Sequence, residues 1–277
     1  MKNIGTKLAA VAFLVCVASP AYAGKGGSAA KIRDAIRSNS VDAITAEIER
    51  AESLTCSECV QMVTNLLEDD RYAVREVAAW WFAKRPALKD MVAETFLDDL
   101  ASGGTIKVRN AADFLGRTVT YTALPALRAA IHRDNVGPEG KLALVRAVSY
   151  MGHLGGNEVL TTAMADGDAG VRAAAATAWR DILGQTSAAP VVPLLADGDA
   201  NVRAAAATTV GGMGHVAAAA QLETMVVSDP DPVVRRNAAW ALGKLQQPSS
   251  RVALAAVAAD QSGLVRMTAR ASLASIR

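Results

Sequence analysis

The sequence predicts an all-α fold, a right-handed α-solenoid of about seven to eight stacked antiparallel helix pairs, and three observations lead to it. The first is repetition. DPDPVVRRNAAWALGKL (Asp229 to Leu245) returns as DGDANVRAAAATTVGGMG (Asp197 to Gly214) and DGDAGVRAAAATAW (Asp166 to Trp179), and more loosely as DRYAVREVAAWW (Asp70 to Trp81) and SGLVRMTARASL (Ser262 to Leu273). The arginines of these copies are Arg75, Arg172, Arg203, Arg235 and Arg266, the last four separated by 31, 32 and 31 residues. The second is periodicity within a copy: Val234, Ala238, Ala241 and Leu245 fall on one helical stripe, so each helix has a single side to bury. The third is composition. Apolar residues make up 51% of the chain and aromatics only 4%. Alanine supplies much of the apolar share, favours helix and lets helices approach closely. No strand alternation is present.

Residues 1 to 23 are expected to be a secretory signal peptide. Lys2 and Lys7 give the basic start, Leu8 to Ala18 the apolar run, and Ala21-Tyr22-Ala23 the small-x-small cleavage site. This predicts export to the periplasm; secretion, or a lipid anchor at Cys16, is the alternative. No later apolar run is long enough to span a membrane. Removing the signal leaves 27 basic and 27 acidic residues, which argues against a nucleic-acid or anionic-membrane surface. Charge is nevertheless uneven: residues 41 to 100 hold thirteen acids and six bases, residues 101 to 150 seven bases and three acids. Solvated helix faces, or a charge-selective patch for a partner, both fit this pattern.

Residues 24 to 68 are expected to form an N-terminal cap. After a Gly-rich leader, helices are predicted at Ala29 to Ser38 and Val41 to Ala51. Thr55 and Glu58 have capping-box spacing and would start a third helix at Cys56. Cys56 and Cys59 then sit at its first turn. Because Cys16 would leave with the signal, an even pair remains in an exported chain, which favours a structural disulfide. Free thiols and a thiol-disulfide exchange role are the alternatives. A thioredoxin-type site, however, belongs in a βαβ setting, which this chain lacks. Zinc would need two further ligands nearby.

Residues 69 to 277 carry the repeats. The Asp-x-Asp and Asp-Pro dipeptides are helix starts, offering short acceptors to free N–H groups and a proline where no donor is needed. In the clearest copy the helix should begin near Pro232, with Gly243 and Pro248 marking its end. The next helix, near Ser249 to Ala259, presents Val252, Ala255, Ala256 and Ala259 for packing. Two weaker copies, IKVRNAADFLG (Ile106 to Gly116) and KLALVRAVSYMG (Lys141 to Gly152), fill the gap, the second placing Leu144 where arginine is expected. Gly155-Gly156 and Gly211-Gly212 follow no strand, so they are breakers at helix ends rather than phosphate loops.

This pattern, approximately D-x-D-x-x-V-R-x-x-A-A-x-A-L-G, resembles the HEAT repeat family, specifically the short HEAT-like repeats of phycocyanobilin lyases, from about Asp69 to the C-terminus. The resemblance implies that the Val-Arg helices line a concave side and that acids and arginines form a ladder between units. Asp166, Asp197 and Asp229 would be its acceptors and Arg172, Arg203 and Arg235 its donors, with a break at Leu144. Aligning the copies on their arginines puts Trp80 and Trp240 at one repeat position, five residues on and at the margin of the buried face, where they either pack between neighbouring helices or contact a partner; Arg236, pointing further out, belongs to the same reading, and Trp179 is expected in the core. Some HEAT-like proteins, the deoxyhypusine hydroxylases, hold iron through His-Glu pairs. None of His132, His153 or His215 is followed by Glu, so no metal, cofactor or catalytic residue is expected. The expected function is a non-catalytic scaffold that holds a protein or peptide. A chromophore lyase or isomerase is the enzymatic alternative.

Overall fold

The computed structural model describes residues 26–276. The expected signal segment and its cleavage site lie outside the described residues. The chain divides into two compact units, Met1–Ala130 and Ile131–Arg277, and every described element is a helix, a turn or a loop.

The first unit contains α1 (Ala29–Ser38), α2 (Val41–Arg50), α3 (Ser57–Leu66), α4 (Tyr72–Ala83), α5 (Pro86–Ser102) and α6 (Thr105–Arg117), followed by α7 (Leu124–Ile131). Helices α2, α4 and α6 pack side by side, and α1, α3 and α5 back them, so the capping helices are continuous with the first repeat. Its centre is aromatic. Trp81, Phe82, Phe96 and Phe114 are fully buried, with Phe114 at 5.0 Å from Phe96 and 5.9 Å from Phe82 between ring centres.

The start of α3 differs from the sequence expectation. Cys56, not Thr55, is the N-cap: its Sγ accepts the Cys59 N–H at 3.0 Å, and the two cysteines are joined as a disulfide. Glu58 turns away from the cap to pair with Arg33 of α1, which removes the acid from the reciprocal bond that a capping box needs.

The second unit contains α8 (Pro138–Met151), α9 (Asn157–Ala163), α10 (Ala169–Ala178), α11 (Ala200–Gly212), α12 (Ala219–Ser228), α13 (Pro232–Leu245), α14 (Arg251–Ala256) and α15 (Gly263–Ser275). Helices α8, α10, α11, α13 and α15 form one layer, each packed on the next; α9, a 3-10 segment (Ala189–Ala196), α12 and α14 form the layer behind. Pro190 and Pro193 explain the 3-10 segment, since proline removes a donor and crowds the preceding turn.

The alanine-rich layer closes by near contact of backbones. A Cβ on Gly211 would lie 2.5 Å from Cα of Ala241, and one on Gly243 would lie 2.8 Å from Cβ of Ser272. Gly211 and Gly243 are therefore packing positions inside α11 and α13, not breakers; α13 runs on to Leu245 and is capped by Gln246 in the left-handed region. Buried hydroxyls tie the same interfaces: Thr209 donates to Ala176 O and Ser272 to Ala239 O, each at 2.8 Å. Gly211→Ala is consequently expected to lower stability by about 1–3 kcal/mol through overpacking, although alanine is the better helix former. Gly167→Ala, where a Cβ meets open space, is the control. A urea midpoint for Gly211→Ala at or above that of the parent would refute the close-packing account.

One packing expectation is reversed. On α14 and the turn after it, Leu254 and Val257 are buried, whereas Val252 is 80% exposed and Ala255, Ala256 and Ala259 are exposed with it. The apolar stripe read from the sequence lies opposite the packed side, on the last helix of the second layer.

Candidate partner-binding surface

In each clear repeat the two acids of Asp-x-Asp divide the work. The second caps the helix: Asp168 accepts from Val171 N, Asp199 from Asn201 N and Val202 N, and Asp231 from Val233 N and Val234 N. The first folds the turn, Asp166, Asp197 and Asp229 each accepting the N–H two residues on at 2.9–3.0 Å. It also receives an arginine from the preceding repeat. Arg172 Nε and Nη2 donate to both oxygens of Asp197 at 2.8 and 2.9 Å, Arg203 to Asp229 at 2.8 and 3.0 Å, and Arg235 to Asp260 at 2.8 and 3.0 Å. Each Nη1 donates back to carbonyls of its own turn, as from Arg203 to Asp197 O and Gly198 O. The planar fork can serve both sides at once, which a lysine ammonium cannot.

Two features of the ladder differ from the sequence reading. Asp260 is the last acceptor; its signal was present, six residues before Arg266, as Asp229 precedes Arg235. Leu144 does not interrupt the ladder. The arginine of each clear copy is the fourth residue of its helix, and the fourth residue of α8 is Lys141, whose Nζ donates to Asp166 at 2.6 Å. Leu144 lies one turn further on and is wholly buried. The sequence frame was three residues out.

Hydrogen bonds from Arg172 and Arg235 hold the Asp197 and Asp260 carboxyls below their ordinary value of 3.8. Burial works to raise Asp166 and Asp229, but the bonds from Lys141 and Arg203 and from the turn N–H groups outweigh it, and both are also lowered. A carboxyl with a depressed folded-state pKa contributes fully above its unfolded value and loses that contribution as pH falls through the folded one. The urea midpoint is thus expected to hold between about pH 7 and 5 and to fall below about pH 4. A midpoint unchanged down to about pH 2.5 would remove the ladder from the stability account.

The first unit uses the same arginine differently. Arg75, the fourth residue of α4, donates Nη1 to Asp69 O and Asp70 O, but its Nε and Nη2 reach Asp113 on α6 at 3.0 and 2.7 Å. Both side chains of this pair are buried.

The tryptophans occupy equivalent places in separate units. Trp80 and Trp240 are each half-buried, and each carries a lysine one turn on, Lys84 and Lys244, with Nζ 5.4 Å from the ring centre. A Cβ on Gly212 would lie 3.7 Å from Trp240 Cη2, so the ring of Trp240 lies across α11. On its other side is an open groove walled by Trp240, Lys244, Thr268, Ala271 and Ser275, all from α13 and α15. Arg236 is folded along its own helix, donating to Asn237 Oδ1 at 2.9 and 3.0 Å, while Asn237 donates to Ala204 O. Trp179 is buried, its Nε1 donating to Ser187 O.

His153 accepts the Gly155 N–H and caps the short 3-10 turn that follows. Among the described residues there is no cluster of three or more His, Cys, Asp or Glu suited to a metal ion, and no helix long and apolar enough to cross a membrane.

Residues 188–274 match the family described as HEAT repeats. Likeness of fold extends beyond that stretch in structural comparison. The X-ray structure of the Escherichia coli protein YibA, 14% identical, superposes with a TM-score of 0.58 over 90% of this chain and 93% of that one. The crystal structure of an engineered protein, 17% identical, reaches 0.50 over 100% of this chain and 86% of that one. The CpcE and CpcF complex of phycocyanin lyase from Nostoc sp. PCC7120, 17% identical over 79% of this chain and 94% of that one, reaches only 0.42, too low to carry a functional inference. No curated protein matches the chain. At these identities the likeness establishes the helical HEAT fold and nothing of activity.

Proposed function

We propose that this is a non-catalytic, exported interaction scaffold of the periplasm that holds a protein or peptide on the open, concave face of its Val-Arg helices. The observation that carries this is Trp240: a half-buried indole, steadied by α11 on one side and edged by Lys244, standing beside an open groove between α13 and α15. A rigid aromatic at the lip of a groove, with a cation next to it, is the type of anchor that dominates protein interfaces. The ladder supports the same reading. It fixes the spacing of successive helices by bonds at their N-terminal turns, whereas Trp240 stands in the C-terminal half of α13.

The test is a photo-crosslinker placed at Trp240, and separately at Thr208, in cells expressing the full chain, with Glu223 on the other layer as control. A defined protein trapped from the first two positions but not from the control is expected. Trp240→Ala should then weaken binding of that protein by about 10-fold or more with little change in melting temperature. Identical crosslinking patterns from all three positions would exclude this face as the binding surface.

A further inference from the structure

The Cys56–Cys59 bridge has no part in the surface above, and its surroundings bear on what it does. Cys56 is half-exposed at the N-cap of α3, whereas Cys59, in the first turn, is wholly buried. One cysteine of the pair borders solvent and its mate is shielded. The Cys59 N–H points at Cys56 Sγ at 3.0 Å. After reduction, that donor and the positive end of a ten-residue helix would stabilise a thiolate on Cys56.

The segment that leads into the bridge is held by other means. Arg85, buried beneath the loop, donates to Ala51 O, Glu52 O and Leu54 O at 3.3, 2.7 and 2.9 Å, and Trp81 Nε1 donates to Ala51 O at 3.0 Å. Helix α3 is fastened by buried Val63, Thr64 and Leu66 and by the Glu58 pair with Arg33. None of these contacts requires the S–S bond. A bridge across three residues also closes so short a loop that it constrains the unfolded chain less than a long-range bridge would. The contacts that hold this segment would therefore remain after reduction.

We propose that Cys56–Cys59 is a thiol-disulfide exchange site that oxidises a pair of thiols on a partner protein. A partner thiolate attacks Cys56 Sγ; the Cys56–Cys59 bond breaks, and its electron pair leaves on Cys59, which takes up a proton. The partner's second thiolate then attacks its own sulfur in the mixed disulfide, releasing Cys56 as a thiolate. The partner dithiol loses two electrons and two protons and gains a disulfide; the cysteine pair takes both electrons and one proton, on Cys59, and the second proton goes to solvent while Cys56 stays a thiolate. The reverse sequence, with Cys56 as nucleophile and Cys59 resolving, follows the same geometry.

The full mature chain, equilibrated in reduced and oxidised glutathione and quenched with an alkylating reagent, tests this. The pair should reduce and reoxidise reversibly with the far-UV circular dichroism unchanged, and in the reduced protein Cys56 should alkylate at least about 10-fold faster than Cys59. The disulfide form should oxidise a synthetic peptide carrying two cysteines, one peptide per chain. Cys59→Ser should accumulate a mixed disulfide with glutathione through Cys56, and Cys56→Ser should not. A bridge that yields to reductant only when the chain unfolds, or equal alkylation of the two thiols, would make it structural and overturn the proposal, while leaving the Trp240 surface untouched.

Discussion

Replacing Asp113 with alanine is expected to destabilise the first unit by about 3–5 kcal/mol, the largest single-residue effect outside its aromatic core. Arg75 Nε and Nη2 both donate to this carboxylate, and the two side chains retain only 4% and 2% of their exposure. Truncation leaves a guanidinium with a full charge in a dry interface between α4 and α6, where water cannot replace the lost acceptor. Asp113→Asn should cost less, because an amide oxygen still accepts. Replacing both partners, as Arg75→Met with Asp113→Leu, should recover much of the loss, since the penalty comes from the stranded charge more than from the missing attraction. Chemical denaturation of the three variants beside the parent measures this. Equal losses for Asp113→Ala and for the double replacement would show that the pair does not act through burial of charge.

The second large effect is expected at Arg203, where alanine should cost about 2–3 kcal/mol. The substitution removes the fork to Asp229 and both bonds to the turn at Asp197 and Gly198, and it leaves a carboxylate whose side chain is 6% exposed. Arg203→Lys keeps the charge but cannot face two ways, so it should recover less than half of the loss, about 1 kcal/mol. Lys141 is the natural example of that compromise. A denaturation midpoint for Arg203→Ala equal to the parent's would mean that the ladder decorates the stack without holding it.

Much of this was legible in the sequence for a local reason. Helix starts rest on short-range chemistry, so Asp-x-Asp and Pro232 located α10, α11 and α13, and Ser28 and Ser40 begin α1 and α2 by accepting an N–H three residues on. The candidate surface was legible in part. The equivalence of Trp80 and Trp240 follows from counting along the repeat, and their half-burial from their angle to the stripe. The lysine one turn beyond each could have been counted in the same way. The groove beside Trp240 could not, because it exists only where the small side chains of α15 fail to fill the space across from the indole.

What the sequence determined by itself is everything that recurs: the period, the single buried stripe, and the alanines that let helices lie close. What the tertiary structure decided is everything that depends on which parts of the chain meet across 25 residues or more. It placed Lys141 in the ladder where the repeat frame had put Leu144, and drew Arg75 to Asp113 on a neighbouring helix. It also turned Val252 outward. The physical reason is that a helix signal is written in bonds three or four residues long, whereas an ion pair or a packed face is completed by a surface that the local sequence does not contain.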